Sequence, residues 1–93
     1  MFKSLEELVN TIRERKNSNP EKSYTSRLLN DKKINIEKVK EEVGELIEAI
    51  QKNDNKVHEA ADVLYHLLVL LEGNGVRIED VMKELKKRQN GIR

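Results

Sequence analysis

The sequence predicts one all-α domain, a bundle of four to five helices that is completed by dimerisation. Aromatic residues make up only 3% of the chain and Pro occurs once, while Leu, Glu, Lys and Ile are abundant, a mix that favours helices over strands. Apolar residues recur at three- and four-residue steps in several segments. The 93 residues suffice for one modest core. We therefore expect residues 1–93 to form a single domain.

The first helix is expected to begin at Ser4-Leu5-Glu6-Glu7, which has the pattern of a capping box. Its apolar positions keep helical spacing as far as Ile12, and cations follow that suit the negative end of a helix, namely Arg13, Arg15 and Lys16. Residues 17–22 are polar and turn-rich, so we expect a loop there. Residues 24–29 are expected to form a short helical turn.

Three longer helices are expected to follow. The third begins at Asn35, a plausible N-cap, and ends at about Lys52, and Asn53-Asp54-Asn55 breaks the pattern. The fourth runs from about residue 56 to residue 72, and glycine in Gly73-Asn74-Gly75 can adopt the left-handed cap conformation. The last covers residues 78–89 and directs these side chains inward: Ile78, Val81, Met82 and Leu85.

Residues 63–71 of the fourth helix are apolar on nearly every face. The run is far shorter than the roughly 20 residues that span a bilayer, so it predicts a helix that is buried all round. A monomer of this length can hardly surround such a helix. We therefore expect a second copy of the chain to cover the remaining face.

Charge and cysteine content exclude several classes of function. Eighteen Lys and Arg balance 17 Asp and Glu, so the net charge of +1 indicates neither a nucleic-acid nor a membrane partner. The chain has no Cys, which excludes disulfides, thiolate metal sites and a cysteine nucleophile. Its first residues turn acidic where a signal peptide needs an apolar region. We expect a cytoplasmic protein.

Two acidic pairs on the third and fourth helices carry the strongest chemical signal. Glu42 and Glu45 are spaced three apart, and so are Glu59 and Asp62, which places each pair on one helix face. If the two helices pack antiparallel, four carboxylates converge. Such charges repel unless a cation bridges them, and hard oxygen ligands favour Mg²⁺ or Mn²⁺. Because Mg²⁺ is usually shared with phosphates, the pattern indicates phosphoanhydride chemistry.

The competing interpretation is an ordinary solvated charge run, and from the third helix alone it is the better one. The fourth helix shifts the balance because Glu59 and Asp62 lead into the most apolar segment, where acids rarely lie unpaired. Tyr65 and His66 follow Asp62 and are candidate substrate contacts, although a core role is about as probable for each. Lys38 lies one turn before Glu42, where it either reaches a phosphate or forms a common helix pair.

The hydroxyl-bearing segment Ser23-Tyr24-Thr25 is a further candidate for holding a phosphate or a ribose, although by composition alone it is just a loop. The cations Arg13, Lys16, Lys38 and Lys40 are all plausible phosphate partners.

The chain resembles the phosphoribosyl-ATP pyrophosphatase family, all-α pyrophosphohydrolases related to MazG. The resemblance covers nearly the whole chain and is most specific at residues 59–71, at Lys38-Val39-Lys40-Glu41-Glu42 and at Ser23-Tyr24-Thr25 with Leu28-Leu29. The superfamily motif of Glu-x-x-Glu followed by Glu-x-x-Asp falls on Glu42, Glu45, Glu59 and Asp62.

The resemblance implies hydrolysis of phosphoribosyl-ATP to phosphoribosyl-AMP and pyrophosphate in histidine biosynthesis, by a dimer that binds Mg²⁺ through those four carboxylates. It also implies that Glu41 or Glu42 orients or deprotonates the attacking water. The alternative is a MazG-type housekeeping nucleoside triphosphate pyrophosphatase, since Glu-Val-Gly-Glu-Leu also occurs in those enzymes. A non-catalytic helical dimer would instead bind no Mg²⁺ and tolerate Glu45→Ala or Asp62→Ala.

Overall fold

The structure is a computed structural model that describes residues 1–89 and residue 91. Every regular element in those residues is helical, which confirms the predicted all-α class. In chain order the α-helices are α1 (Lys3–Glu14), α2 (Tyr24–Leu29), α3 (Lys32–Lys52), α4 (Lys56–Gly73) and α5 (Ile78–Gln89), with a 3-10 turn, Arg15–Asn17, after α1. No helix in this part of the chain is long and apolar enough to cross a membrane.

The longest pair, α3 and α4, forms an antiparallel hairpin around the three-residue turn at residues 53–55. Asn53 and Asn55 both adopt the left-handed conformation, with φ of 56° and 57°, which asparagine tolerates better than most residues. The predicted break is therefore confirmed. After α4 the chain reverses at Gly75, whose φ is 74°, as expected for glycine near a helix end.

The core lies where α1 and α2 pack against the second half of α4. Its buried members come from these three helices, and partly buried residues from α1, α2, α4 and α5 extend it; the buried set is Val9, Ile12, Leu28, Leu68 and Val69. Gly73 permits the close approach of α2, because a Cβ atom there would lie 3.3 Å from a methyl group of Leu29. The core thus occupies one end of the α3–α4 hairpin.

Both predicted N-caps were wrong. Ser4 lies inside the first turn of α1, whose N-cap residue Phe2 makes no side-chain cap bond. α3 begins earlier than expected because the Asp31 side chain accepts a hydrogen bond from the Ile34 amide. Asn35 consequently lies inside α3 and is buried, and its side-chain oxygen has no hydrogen-bond partner in the described part of the chain.

Burial of α4 and α5 within one chain is also less complete than expected. Leu64 and Leu67 of α4 are exposed, so one chain does not surround this helix. In α5, Ile78 packs on the core, but Met82 and Leu85 are about half exposed. The chain alone therefore leaves substantial apolar surface uncovered.

Candidate active site

The α3–α4 hairpin brings together the two predicted acidic pairs. Its antiparallel register places Glu45 beside Glu59 near the turn and Glu42 within electrostatic reach of Asp62 one helical turn away. We call these residues together with Glu41 the acidic cluster: Glu41, Glu42, Glu45, Glu59 and Asp62. Single carboxylate oxygens of Glu41, Glu42 and Glu45 all lie within 4.8 Å of one another.

Glu42 is the buried member of the cluster. Glu42 is 8% exposed, and its Oε2 atom has no hydrogen-bond partner among the described residues. Burial, followed by the neighbouring carboxylates of Glu45 and Asp62, raises the pKa of Glu42, while His66 opposes the shift. Burial and the charge of Glu45 likewise raise the pKa of Glu59. Within residues 1–89 and 91, no Lys or Arg forms an ion pair with Glu42 or Glu59.

The donor set of the cluster fits a hard divalent cation. All of its ligand atoms are carboxylate oxygens, the type that Mg²⁺ and Mn²⁺ prefer, and the unpartnered oxygen of Glu42 is available for coordination. Lys38 is the nearby cation, and its Nζ atom lies 3.6 Å from Oε2 of exposed Glu41. The Lys38–Glu41 pair does not neutralise the charges of Glu42, Glu59 and Asp62.

His58 is a candidate ligand that sequence reasoning missed. Its Nε2 atom lies 3.4 Å from Oδ2 of Asp62 and 3.8 Å from Oε1 of Glu59, so all three residues offer ligand atoms to one point. The sequence signal was the four-residue spacing from His58 to Asp62, which places both side chains on one face of α4.

Two side-chain hydrogen bonds, Tyr24 to His66 and Thr25 to Tyr65, join α2 to α4 beside the acidic cluster, and we call them the polar ladder. His66 is buried, and its Nδ1 atom donates to the carbonyl oxygen of Asp62 over 2.8 Å. In the neutral ring Nε2 is then an acceptor, so the Tyr24 hydroxyl donates to it over 3.0 Å. A second hydrogen bond joins the hydroxyls of Thr25 and Tyr65. The structure therefore brings the predicted residues Tyr24 and Thr25 together with Tyr65 and His66.

Tyr24 links this ladder to the acidic cluster. Burial is the main factor that raises the pKa of its phenol, and Tyr65 and Glu42 act in the same direction, whereas Lys38 and Arg27 lower it. The Arg27 guanidinium lies 5.4 Å from the centre of the Tyr24 ring. Ser23 has a structural role, since its hydroxyl oxygen accepts from the Ser26 amide and caps α2.

Two of the suggested phosphate partners, Arg13 and Lys16, contact carboxylates outside the acidic cluster. Arg13 forms paired hydrogen bonds with Glu72 of α4 and with Glu79 of α5, and Lys16 lies 3.7 Å from Glu72. Arg13 therefore joins α1 to α4 and α5 through these two carboxylates.

Comparisons with known proteins found a matching family model and similar relatives. A family model, phosphoribosyl-ATP pyrophosphohydrolase, matches residues 5–89. The phosphoribosyl-ATP pyrophosphatase of Dechloromonas aromatica is 43% identical over 91% of this chain and 82% of its own length. The phosphoribosyl-ATP pyrophosphatase of Clostridium acetobutylicum is 45% identical over 95% of this chain and 83% of its own length.

A longer relative matches in part, since a histidine biosynthesis bifunctional protein of Thermotoga maritima is 45% identical over 89% of this chain but only 44% of its own length. No solved structure matches the chain. The family match extends over almost all of the chain and includes both acidic pairs. The chain therefore belongs to the phosphoribosyl-ATP pyrophosphohydrolase family.

Proposed function

We propose that this chain hydrolyses phosphoribosyl-ATP to phosphoribosyl-AMP and pyrophosphate, a step of histidine biosynthesis. The observation that carries the proposal is the acidic cluster, in which Glu42 is buried with an unpartnered oxygen. Membership of the family supports the substrate. The housekeeping triphosphatase alternative is not favoured, because the curated relatives named here are phosphoribosyl-ATP pyrophosphatases or a histidine biosynthesis protein.

The acidic cluster is proposed to hold Mg²⁺, with Mn²⁺ as a substitute, through Glu42, Glu45, Glu59 and Asp62. When bound, the cation would neutralise the triphosphate oxygens and stabilise the pyrophosphate leaving group. The rigid hairpin fixes the four carboxylates relative to one another, since both helices are continuous through these positions. His58 extends the same ligand set on α4.

Glu41 and Glu42 are the proposed catalytic carboxylates. Water attacks phosphorus, the phosphoanhydride bond breaks, and the water proton passes to a carboxylate that either orients or deprotonates the water. Burial and the neighbouring carboxylates raise the pKa of Glu42, which suits it to accept the water proton. Exposed Glu41, paired with Lys38, is suited to orienting the water.

The proposed substrate contacts surround Tyr24. Lys38 lies near the acidic cluster and can carry a phosphate charge, while Ser23, Tyr24 and Thr25 form the α2 side of the site. Tyr65 and His66 hold that segment in place through their hydrogen bonds to Thr25 and Tyr24. Their proposed contribution to substrate binding is therefore partly positional.

The active form is proposed to be a cytoplasmic homodimer in which residues 1–93 form one domain. Exposed apolar side chains lie on both helices of the hairpin, where a second copy would cover them: Val43, Ile47, Ile50, Leu64 and Leu67. The same association would complete the burial of α4.

The proposal is tested by measuring pyrophosphate release from phosphoribosyl-ATP and from ordinary nucleoside triphosphates. Turnover of phosphoribosyl-ATP that is lost with chelator and in Asp62→Ala would support it. A preference for ordinary triphosphates would instead indicate the housekeeping enzyme. If the folded protein released no pyrophosphate from either substrate class, the function proposed for the acidic cluster would be wrong.

A further inference from the structure

A cavity of about 560 Å³ opens at the loop that leads into α2. We call it the basic pocket, and its lining consists of Arg15, Ser18, Asn19, Lys22, Ser23, Tyr24 and Thr25. Two of these residues are cations and none is a carboxylate, although acids and bases are almost equal in number in the whole chain. Among the described residues, neither Arg15 nor Lys22 pairs with a carboxylate. The pocket is therefore a local concentration of positive charge.

The polar groups of the pocket retain hydrogen-bond donors. The side-chain oxygen of Asn19 accepts a hydrogen bond from the Glu21 amide. The NH₂ group of Asn19 therefore remains available as a donor. Ser23 accepts from the Ser26 amide through its hydroxyl oxygen, so its O–H also remains available. A lining of cations and free donors matches a phosphate, which offers only acceptor oxygens when fully ionised.

The basic pocket and the acidic cluster share Tyr24 as a neighbour. Tyr24 lines the pocket, and its hydroxyl bonds to His66, whose own Nδ1 bonds to the backbone of Asp62 in the cluster. Lys38 and Glu42 are also close enough for their charges to act on Tyr24. One aromatic side chain therefore lies between two regions of opposite charge.

Two adjoining regions of opposite charge suit a substrate that carries phosphate at both ends. Phosphoribosyl-ATP has a triphosphate on one ribose and a monophosphate on the other, and only the triphosphate is cleaved. The triphosphate needs a cation held by the acidic cluster, whereas the monophosphate can bind directly to protein cations. An ordinary nucleoside triphosphate has no group for the second region.

We propose that the basic pocket binds the phosphate of the second ribose of phosphoribosyl-ATP, with Arg15 and Lys22 as the specificity-determining residues. The inference rests on the proposed function for the identity of the substrate. The basic pocket would then discriminate against ordinary nucleoside triphosphates without taking part in bond cleavage. Arg15 can bind two phosphate oxygens at once, and Lys22 supplies a point charge.

The test compares wild type with the double variant Arg15→Ala/Lys22→Ala. For phosphoribosyl-ATP, KM should rise roughly 10- to 100-fold while kcat stays within about threefold, because the lost contacts are equal in ground and transition states. The matched control is Lys3→Ala/Lys83→Ala, which also removes two exposed cations but neither from the pocket, and it should leave KM unchanged. A fall in kcat at constant KM would overturn the inference.

A binding experiment separates this inference from the proposed function. Ribose 5-phosphate is titrated into the metal-free protein while amide chemical shifts are followed by NMR. Shifts confined to residues 15–25 that disappear in the double variant would support the basic pocket even if phosphoribosyl-ATP is not turned over. Equal shifts in wild type and double variant, or none in either, would overturn the assignment.

Discussion

At the residue scale, Glu42 combines two properties that an ordinary helix carboxylate does not have. It is buried, and one of its oxygens has no hydrogen-bond partner among the described residues. Because its folded pKa is raised, its stabilising contribution is present at low pH and is lost as pH rises through that pKa. At neutral pH, Glu42 therefore destabilises the metal-free chain, a cost that a bound cation would relieve.

Replacement of Glu42 by Gln should separate stability from activity. The neutral amide removes a buried charge, so the metal-free variant is expected to be more stable by on the order of 1 kcal/mol at pH 7. Pyrophosphate release should fall at least about 100-fold, because the variant loses a metal ligand and a candidate base. Thermal unfolding with chelator and a pyrophosphate assay measure the two effects.

Glu48→Gln is the matched control for this experiment. Glu48 lies on the same helix, is exposed and pairs with Lys52, which lowers its pKa. Its replacement should slightly weaken α3 and leave pyrophosphate release unchanged. A metal-free Glu42→Gln protein less stable than wild type would contradict the unfavourable burial of this charge.

At the element scale, α5 is held to the rest of the protein by the packing of Ile78 and by the ion pair between Arg13 and Glu79. It contains no fully buried residue, and its apolar residues Met82 and Leu85 are about half exposed. Arg13 of α1 binds Glu79 at the start of α5 and the buried Glu72 of α4 at the same time. This clamp fixes the position of α5 relative to the core.

Removal of the guanidinium should loosen α5. Arg13→Ala is expected to destabilise the protein by about 1–3 kcal/mol, because Glu72 is left buried without its main partner, although the exposed part of the Arg13 side chain moderates the loss. Hydrogen exchange should accelerate most in α5. Arg88→Ala is the control, because it breaks only the exposed pair with Glu84 inside that helix. Uniform acceleration over all helices would argue against a local clamp.

The clamp also predicts an acid-dependent loss of stability. The bond to Arg13 is the main factor that lowers the pKa of Glu72, and it is also the largest of the factors that together lower the pKa of Glu79 to about 2. A lowered folded pKa gives stability that is present above about pH 4.5 and lost as pH falls towards 2. The difference in Tm between wild type and Arg13→Ala should therefore shrink over that interval. A constant difference from pH 7 to pH 2 would contradict this assignment.

At the scale of the whole molecule, the hairpin presents an uncovered apolar surface. Ile47 and Ile50 of α3 are 52% and 58% exposed, and Leu64 of α4 is 53% exposed. A solvated helix face seldom carries such a group of aliphatic residues. Association of two hairpins would bury them and complete the surroundings of α4.

Ile47→Asp should disrupt this association without unfolding the chain. Burial of an aspartate in an apolar interface is expected to weaken self-association by roughly tenfold or more, whereas helix content should persist because the position is exposed in the single chain. Val57→Asp is the control, since Val57 is more exposed still, at the start of α4. Light scattering across a concentration series measures the mass. Equal masses for both variants and wild type would exclude this face as the interface.

The sequence by itself determined the fold class, most helix positions and the acidic pairs. Helical periodicity and the turn residues between helices are local properties, so the bounds of the short helix at residues 24–29 and of the last helix at 78–89 were predictable. The spacing of Glu42 with Glu45, and of Glu59 with Asp62, is also fixed by helix geometry alone.

Only the tertiary structure decided which of several local possibilities is used. Asp31 rather than Asn35 caps α3. Asn35 lies in the first turns of the helix, and its side chain is buried. Arg13 and Lys22 are both cations near one loop, but their contacts differ. Arg13 binds Glu72 and Glu79, which lie 59 and 66 residues further along the chain. Sequence spacing carries no information about such contacts, which depend on how the helices pack in three dimensions.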